Sequence, residues 1–262
     1  VDLDILAISP HPDDVELFCG GTLSGLVGKK HQVGIADLCR GELGSRGSVD
    51  TRLREAEAAR QVLNVPIRIT LGLKDGDLGP SEDNVAKVIE VLRDYRPQWL
   101  MCPWKWDRHP DHEDAFRLVR KAVFQGGLVK FQAKGEPFRP RGIMYYPLHW
   151  VPQPSFVVDI SEDFDRKYQA IACYQSQFYR PDSDDPETYI SQPRFLERLK
   201  IRDRYWGSQI GTEAGEPWIV ERPLGTSDLM AWLEMCCQTG MSGSTIKSKT
   251  PNSTHYFGET IS

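Results

Sequence analysis

Residues 3 to 23 read Leu3-Asp4-Ile5-Leu6-Ala7-Ile8-Ser9-Pro10-His11-Pro12-Asp13-Asp14-Val15-Glu16-Leu17-Phe18-Cys19-Gly20-Gly21-Thr22-Leu23. The first seven form a short apolar run of strand length. From Asp14 to Lys29 the residues Val15, Leu17, Phe18, Leu23, Leu26 and Val27 recur at approximately helical spacing, which predicts a helix despite the Gly20-Gly21 pair. A tight approach of this helix to the sheet would explain the two glycines. A strand that passes through a polar turn into a helix is the first half of a βαβ unit, and the chain repeats it.

Working outward, Val33 to Leu38 reads as a second strand and Thr51 to Leu63 as a charged helix with Thr51 as N-cap, with a Gly-rich segment between them. Ile67 to Leu71 is a third strand, Ser81 to Tyr95 a helix capped by Ser81, Trp99 to Pro103 a fourth strand, and about Asp111 to Phe124 the next helix. Past residue 140 the alternation loosens. Ile143 to Tyr146 and Phe156 to Ile160 read as strands, Glu162 to Phe178 as an amphipathic helix started by Ser161, and Arg194 to Trp206 as another helix. Pro181 to Pro193 is a polar, acidic loop that reads as a solvated segment or as a lid over the crevice. The expected fold is α/β and Rossmann-like, a mostly parallel sheet with helices on both faces. It forms one domain over residues 1–225. Residues 226–262 form an extension, with the apolar piece Leu229, Met230, Trp232, Leu233 and Met235 followed by a Ser/Thr/Gly/Lys tail. We expect it to be partly flexible or to form an interface.

A chain of 262 residues, 40% hydrophobic, can bury one large core. Its net charge of −5 argues against sequence-independent nucleic-acid binding, which needs clustered Lys and Arg to displace counterions. No apolar run approaches the roughly 20 residues that span a bilayer, and the start reads as a strand with no signal-peptide pattern, so a cytoplasmic address is expected. Cys19, Cys39, Cys102, Cys173, Cys236 and Cys237 contain no CxxC pair and read as reduced thiols.

The chemistry concentrates in His11-Pro12-Asp13-Asp14 and His109-Pro110-Asp111-His112, each just after a predicted strand. In open α/β sheets the binding crevice lies at the carboxyl ends of the strands, which brings both motifs to one place and the metal site with them. Each motif offers ligands three residues apart as a loop turns into a helix. Two imidazoles and one carboxylate, with a fourth position left to water, are the donor set of a catalytic divalent site. Of Asp13 and Asp14, one can bind the metal while the other serves as general base. Of His109 and His112, one imidazole stays free to stabilise an oxyanion or to hand a proton to a leaving amine. Asp111 is placed to hold that free imidazole in its tautomer.

Gly20 and Gly21 do not build a G-x-G-x-x-G loop, which argues against a nicotinamide cofactor. A phosphoesterase usually holds two metals, and the ligands here count for one. A non-catalytic metal protein leaves Asp13 and His109 without a task. Trp104, Trp106 and Met144-Tyr145-Tyr146 read as core or pocket wall. His31, His149 and His255 stand apart from any partner and read as structural or surface residues.

Ser9-Pro10-His11-Pro12-Asp13-Asp14-Val15-Glu16 with Gly20-Gly21-Thr22, and Asp107-Arg108-His109-Pro110-Asp111-His112, resemble the signature of the PIG-L/LmbE-like zinc N-deacetylases. The resemblance continues through Gly41-Glu42, Thr51-Arg52, Glu55-Ala56 and Tyr174-Gln175-Ser176-Gln177-Phe178. Within that family the chain is most similar to the bacillithiol-pathway deacetylases acting on N-acetylglucosaminyl-malate. Other acetylated amino sugars, chitobiose-like, lipid-linked or antibiotic precursors, are the alternative substrates. The resemblance implies His11, Asp14 and His112 as ligands of one Zn2+, or of another divalent metal such as Fe2+. It makes Asp13 the base and His109 the oxyanion stabiliser and acid, with Asp111 beside it. It also implies Arg52 and Tyr189 as substrate-binding residues, and a trimeric or hexameric assembly.

Overall fold

The computed structural model describes residues 2–238. Five strands, β1 (Ile5–Ser9), β2 (Val33–Asp37), β3 (Ile67–Thr70), β4 (Trp99–Pro103) and β5 (Gly142–Tyr146), form one sheet in the order β3-β2-β1-β4-β5. All four pairings are parallel. The central strands β1 and β2 are buried along their whole length, as their apolar runs require. The helices connecting the strands are α1 (Asp14–Gly28), α2 (Val49–Val62), α3 (Glu82–Tyr95) and α4 (Pro110–Gly126).

Two cores lie on opposite faces of the sheet. Ile5, Ala7, Val33 and Ile35 point to one side, with Val15, Leu17 and Leu23 of α1 and Ala56 and Ala59 of α2. Leu6, Ile8, Ala36 and Leu100 point to the other, with Val85, Val88 and Leu92 of α3 and Ala115, Leu118 and Val119 of α4. The strand order reverses between β1 and β4, so α1 and α4 leave neighbouring strands toward opposite faces. That divergence opens a crevice at the carboxyl ends of β1 and β4.

The second half closes one face. β6 (Phe156–Asp159) pairs antiparallel with β7 (Gly215–Trp218), and Ile219 bridges to Tyr145 at the sheet edge. α5 (Phe164–Ile171) and α6 (Phe195–Gln209) pack beside this ribbon. Strand β7 is absent from the sequence reading because Gly215-Glu216-Pro217-Trp218 has almost no strand propensity. Glu216 is nonetheless fully buried, accepting from the Gly21 and Thr22 backbone amides at 3.0 and 2.8 Å and pairing with Lys167 at 2.9 Å. Those amides are free because α1 is broken at Cys19 (φ −146°, ψ 15°). Glu216 therefore caps the second half of α1, and Lys167 also pairs with buried Asp203 at 2.6 Å.

The expected role of Gly20-Gly21 needs correction. A Cβ on Gly21 would lie 2.8 Å from Ile160, and one on Gly20 would lie 3.4 Å from Lys167. The close approach is thus to the β6–α5 segment and not to the parallel sheet. Three boundaries also differ. Ser48, not Thr51, caps α2, accepting from the Thr51 amide at 3.2 Å. Ser161 donates to Asp159 and receives the amides of Glu213 and Ala214, so α5 starts at Phe164. Helix α5 ends at Ile171 instead of continuing to Phe178. Beyond it Tyr174 is drawn into the core, and Ser176 gives its amide and hydroxyl to Glu55 of α2.

Of the C-terminal extension, α7 (Leu229–Gln238) is described, with Leu229, Met230 and Leu233 exposed. The Ser/Thr/Gly/Lys tail and His255 lie outside the described residues. No helix among the described residues is long and apolar enough to cross a membrane.

Candidate active site

At the carboxyl ends of β1 to β4 lies a cleft of about 390 Å3, lined in part by His11, Asp13, Asp14, Arg52, Asp75, Arg108, His109, Asp111, His112, His149 and Tyr189. His11 and Asp14 come from the β1–α1 turn and His112 from the first turn of α4. Asp14 Oδ2 lies 3.2 Å from His11 Nδ1 and 3.3 Å from His112 Nε2. Donors arranged tetrahedrally about 2.1 Å from a shared centre stand about 3.4 Å apart, so this triad fits a divalent metal. Burial opposes a charge on Asp14, but His112 and His11 outweigh it and hold the carboxyl well below the usual range.

The outward nitrogens of both rings meet carboxylates. His11 Nε2 is 3.1 Å from Asp111 Oδ2 and 3.3 Å from Asp75 Oδ1. His112 Nδ1 is 2.7 Å from Asp107 Oδ1. Such partners fix which nitrogen faces inward. Burial disfavours the imidazolium in both rings, yet the surrounding carboxylates raise both pKa values, that of His112 to about 9. Three further ligand-capable clusters, His11-His109-Asp111, His11-Cys39-Asp75 and Asp107-His112-His149, each share a ring with the triad and surround it.

Asp13 is the strained residue of the site. It stands at the N-cap of α1 with φ 127° and ψ −29°, a region non-glycine residues rarely occupy. Its side chain does not cap the helix. Instead it accepts from Arg52 Nη2 at 2.9 Å, while Arg52 Nε donates to Pro12 O at 3.1 Å. Gly41 has φ +69°, and a Cβ there would sit 2.5 Å from Arg52 Nη1, so the guanidinium reaches Asp13 only past a glycine. Burial pushes the Asp13 carboxyl up to about 7; the Asp14 charge adds to this and Arg52 opposes it. Two adjacent carboxylates are thereby driven to different protonation behaviour, one firmly ionised and one near neutrality.

His109 caps α4, its Nδ1 accepting from the Asp111 amide at 3.2 Å. A ring accepting at Nδ1 carries its proton on Nε2 when neutral. Burial, together with the positive His11 and His112, lowers its pKa to about 4. That shift favours the neutral ring, which donates from Nε2.

Two expectations change. The Asp111 carboxylate does not hold His109; it bonds His11 and the Gly76 amide at 2.9 Å. His149 does not stand apart, since its Nδ1 is 3.0 Å from Asp107 Oδ1 and its ring lies 5.1 Å from that of Tyr189. His31 is an exposed residue 3.4 Å from Asp4. The residues missed by sequence reasoning are Asp75, Asp107, Arg108 and His149. Asp75 and Asp107 follow the ends of β3 and β4, the position that would have marked them. Arg108 lies 4.4 Å over the Tyr189 ring. The Pro181–Pro193 loop carrying Tyr189 is held at its base by buried Arg46, which donates to Ser176 O, Phe178 O, Ser183 Oγ, Asp185 O and Pro186 O.

Known proteins share this framework. A conserved protein from Thermus thermophilus has 37% identity and a TM-score of 0.79, covering 87% of this chain and 98% of that one. N,N'-diacetylchitobiose deacetylase from Pyrococcus horikoshii, with its inhibitor bound, has 25% identity and a TM-score of 0.72, covering 83% of each chain. The diacetylchitobiose deacetylase of Thermococcus kodakarensis is 29% identical over 189 residues, 66% of this chain and 70% of that protein. The model of one family, PIG-L, described as GlcNAc-PI de-N-acetylase, matches residues 6–123, a span running from β1 into α4 and holding both histidine motifs. With His11, Asp13, Asp14, Arg52, His109 and His112 of its cleft inside that span and its likeness to the Thermus protein running almost end to end, the chain belongs to the PIG-L family.

Proposed function

We propose that this protein is a zinc-dependent N-deacetylase of amino sugars, with N-acetylglucosaminyl-malate as its substrate. The observation that carries the reading is the division of labour between adjacent carboxylates, Asp14 turned to two imidazoles and Asp13 held apart at a pKa near 7. His11, Asp14 and His112 would hold the metal. When bound, Zn2+, or another divalent metal such as Fe2+, acidifies a water and polarises a carbonyl.

The remaining steps belong to side chains. Ionised Asp13 takes a proton from the attacking water as oxygen bonds to the acetyl carbon. His109 donates from Nε2 to the carbonyl oxygen as negative charge grows there, a stabilisation that needs no imidazolium. The C–N bond then breaks, and Asp13 returns its proton to the departing amine, leaving the free amino sugar and acetic acid, which loses its own proton to solvent as acetate. The names of the chitobiose deacetylase relatives support an N-acetylated sugar. Arg108 lines the cleft with no carboxylate partner among the described residues, which supports an anionic group such as malate on that sugar.

The test is release of free amine from N-acetylglucosaminyl-malate and from N-acetylglucosamine by zinc-loaded wild type and Asp13→Ala. Amine release from the malate conjugate that requires both zinc and Asp13 is expected. Tight zinc binding without cleavage of either amide refutes the substrate assignment.

A further inference from the structure

His149 is the one imidazole of the cleft that the proposed reaction leaves without a role. Its side chain is 7% exposed, and its Nδ1 lies 3.0 and 3.2 Å from the two Asp107 oxygens. The His149 amide donates to Asp107 Oδ2 at 2.7 Å. A carboxylate can only accept, so Nδ1 carries a proton and Nε2 of the neutral ring presents a lone pair. That Nε2 is buried and has no hydrogen-bond partner. His112 makes the same Nδ1 bond to the same oxygen and turns its Nε2 to Asp14, 3.3 Å away. The two ring planes are 7° apart with centroids separated by 5.7 Å. His149 is therefore oriented as firmly as a metal ligand, yet its second nitrogen meets nothing.

Buried polar atoms in native proteins are paired, and an orphan in a binding cleft calls for a ligand. Resting on the amino-sugar reading above, we propose that His149 is a substrate-binding residue whose Nε2 accepts a hydrogen bond from a ring hydroxyl of the sugar. The ligand class follows from the atom. A lone pair selects a neutral hydroxyl donor and discriminates against an analogue lacking it. Asp107 then serves both rings, keeping one nitrogen directed to the metal triad and another available to the sugar.

The experiment is a thermodynamic cycle on zinc-loaded protein in an Asp13→Ala background, which prevents turnover. His149→Asn keeps a donor for Asp107, because the asparagine amide mimics Nδ1, and removes the acceptor at Nε2. Calorimetric titration with N-acetylglucosaminyl-malate and its mono-deoxy analogues should show one analogue binding about ten-fold more weakly than the parent with His149 present. With His149→Asn the parent should weaken by a similar factor, with no further loss for that analogue. Zinc content should be unchanged. Independent losses for every analogue overturn the proposal, as does loss of zinc from His149→Asn, which would reduce His149 to a support for Asp107. Failure of the parent to bind at all overturns the sugar reading, and this proposal with it.

Discussion

Replacing Arg52 by glutamine removes the cation bonded to Asp13 and leaves the triad untouched. The guanidinium stands 2.9 Å from the Asp13 carboxylate, and both groups are buried. Two unit charges about 4 Å apart attract by about 4 kcal/mol at an effective dielectric of 20. Solvent and the new amide recover part of that, so a rise of about 2 pKa units, about 2.7 kcal/mol, is expected for Asp13. The sign follows from the role. In the proposed reaction Asp13 works as the ionised base, so raising its pKa moves the acidic limb of the kcat/KM profile to higher pH. With the wild-type midpoint at about 7 and so half ionised at pH 7, the variant should lose about 50-fold there and recover much of it as pH rises through the new midpoint. A cation in the triad lowers both midpoints together, so the difference between wild type and variant is the quantity to read. Arg52→Lys, which keeps the charge, should stay close to wild type in midpoint. The assay is amine release from pH 5 to 10 at subsaturating substrate. An unchanged acidic limb with a raised KM refutes the reasoning and makes Arg52 a substrate-binding residue alone.

Gly21→Ala should destabilise by about 1 to 3 kcal/mol, because its Cβ meets Ile160 at 2.8 Å, whereas Gly20→Ala, at 3.4 Å from flexible Lys167, should cost less; urea midpoints compare them. Arg46→Ala removes five hydrogen bonds that hold the base of the Pro181–Pro193 loop. Limited proteolysis within that loop should accelerate by about ten-fold or more, and an unchanged cleavage rate would show the loop is held elsewhere. Metal uptake should release protons, since His112 without metal stays protonated up to about pH 9 and His11 is also raised. Apparent affinity should therefore rise with pH below 9, about ten-fold per unit for each proton displaced. Proton release measured in buffers of differing ionisation enthalpy checks this, and zero release would refute it.

Much of this architecture follows from local pattern. The apolar runs at 3–9, 33–38, 67–71 and 99–103, each followed by a helical period, determine a parallel α/β sheet, because strands buried on both faces must be apolar throughout. The same pattern sets both histidine motifs at strand carboxyl ends. Adjacency of β1 and β4 then makes the cleft and residue type supplies its imidazoles and carboxylates, whereas the turning of His112 toward Asp14 at 3.3 Å is decided by the fold. What the sequence could not decide are interactions between residues far apart in the chain. Strand β7 is invisible because Glu216 is held by Gly21, Thr22 and Lys167, not by strand propensity. Asp111 looks like the partner of its neighbour His109, but the helix turn hands the Asp111 amide to His109 and leaves its carboxylate to His11, 100 residues away. Arg52 looks like a free anion-binding cation until folding sets it against Asp13. Hydrophobic period is a property of short segments, so one chain carries it. Pairing of buried charges and orientation of an imidazole depend on which strand ends become neighbours, and only the folded arrangement decides that.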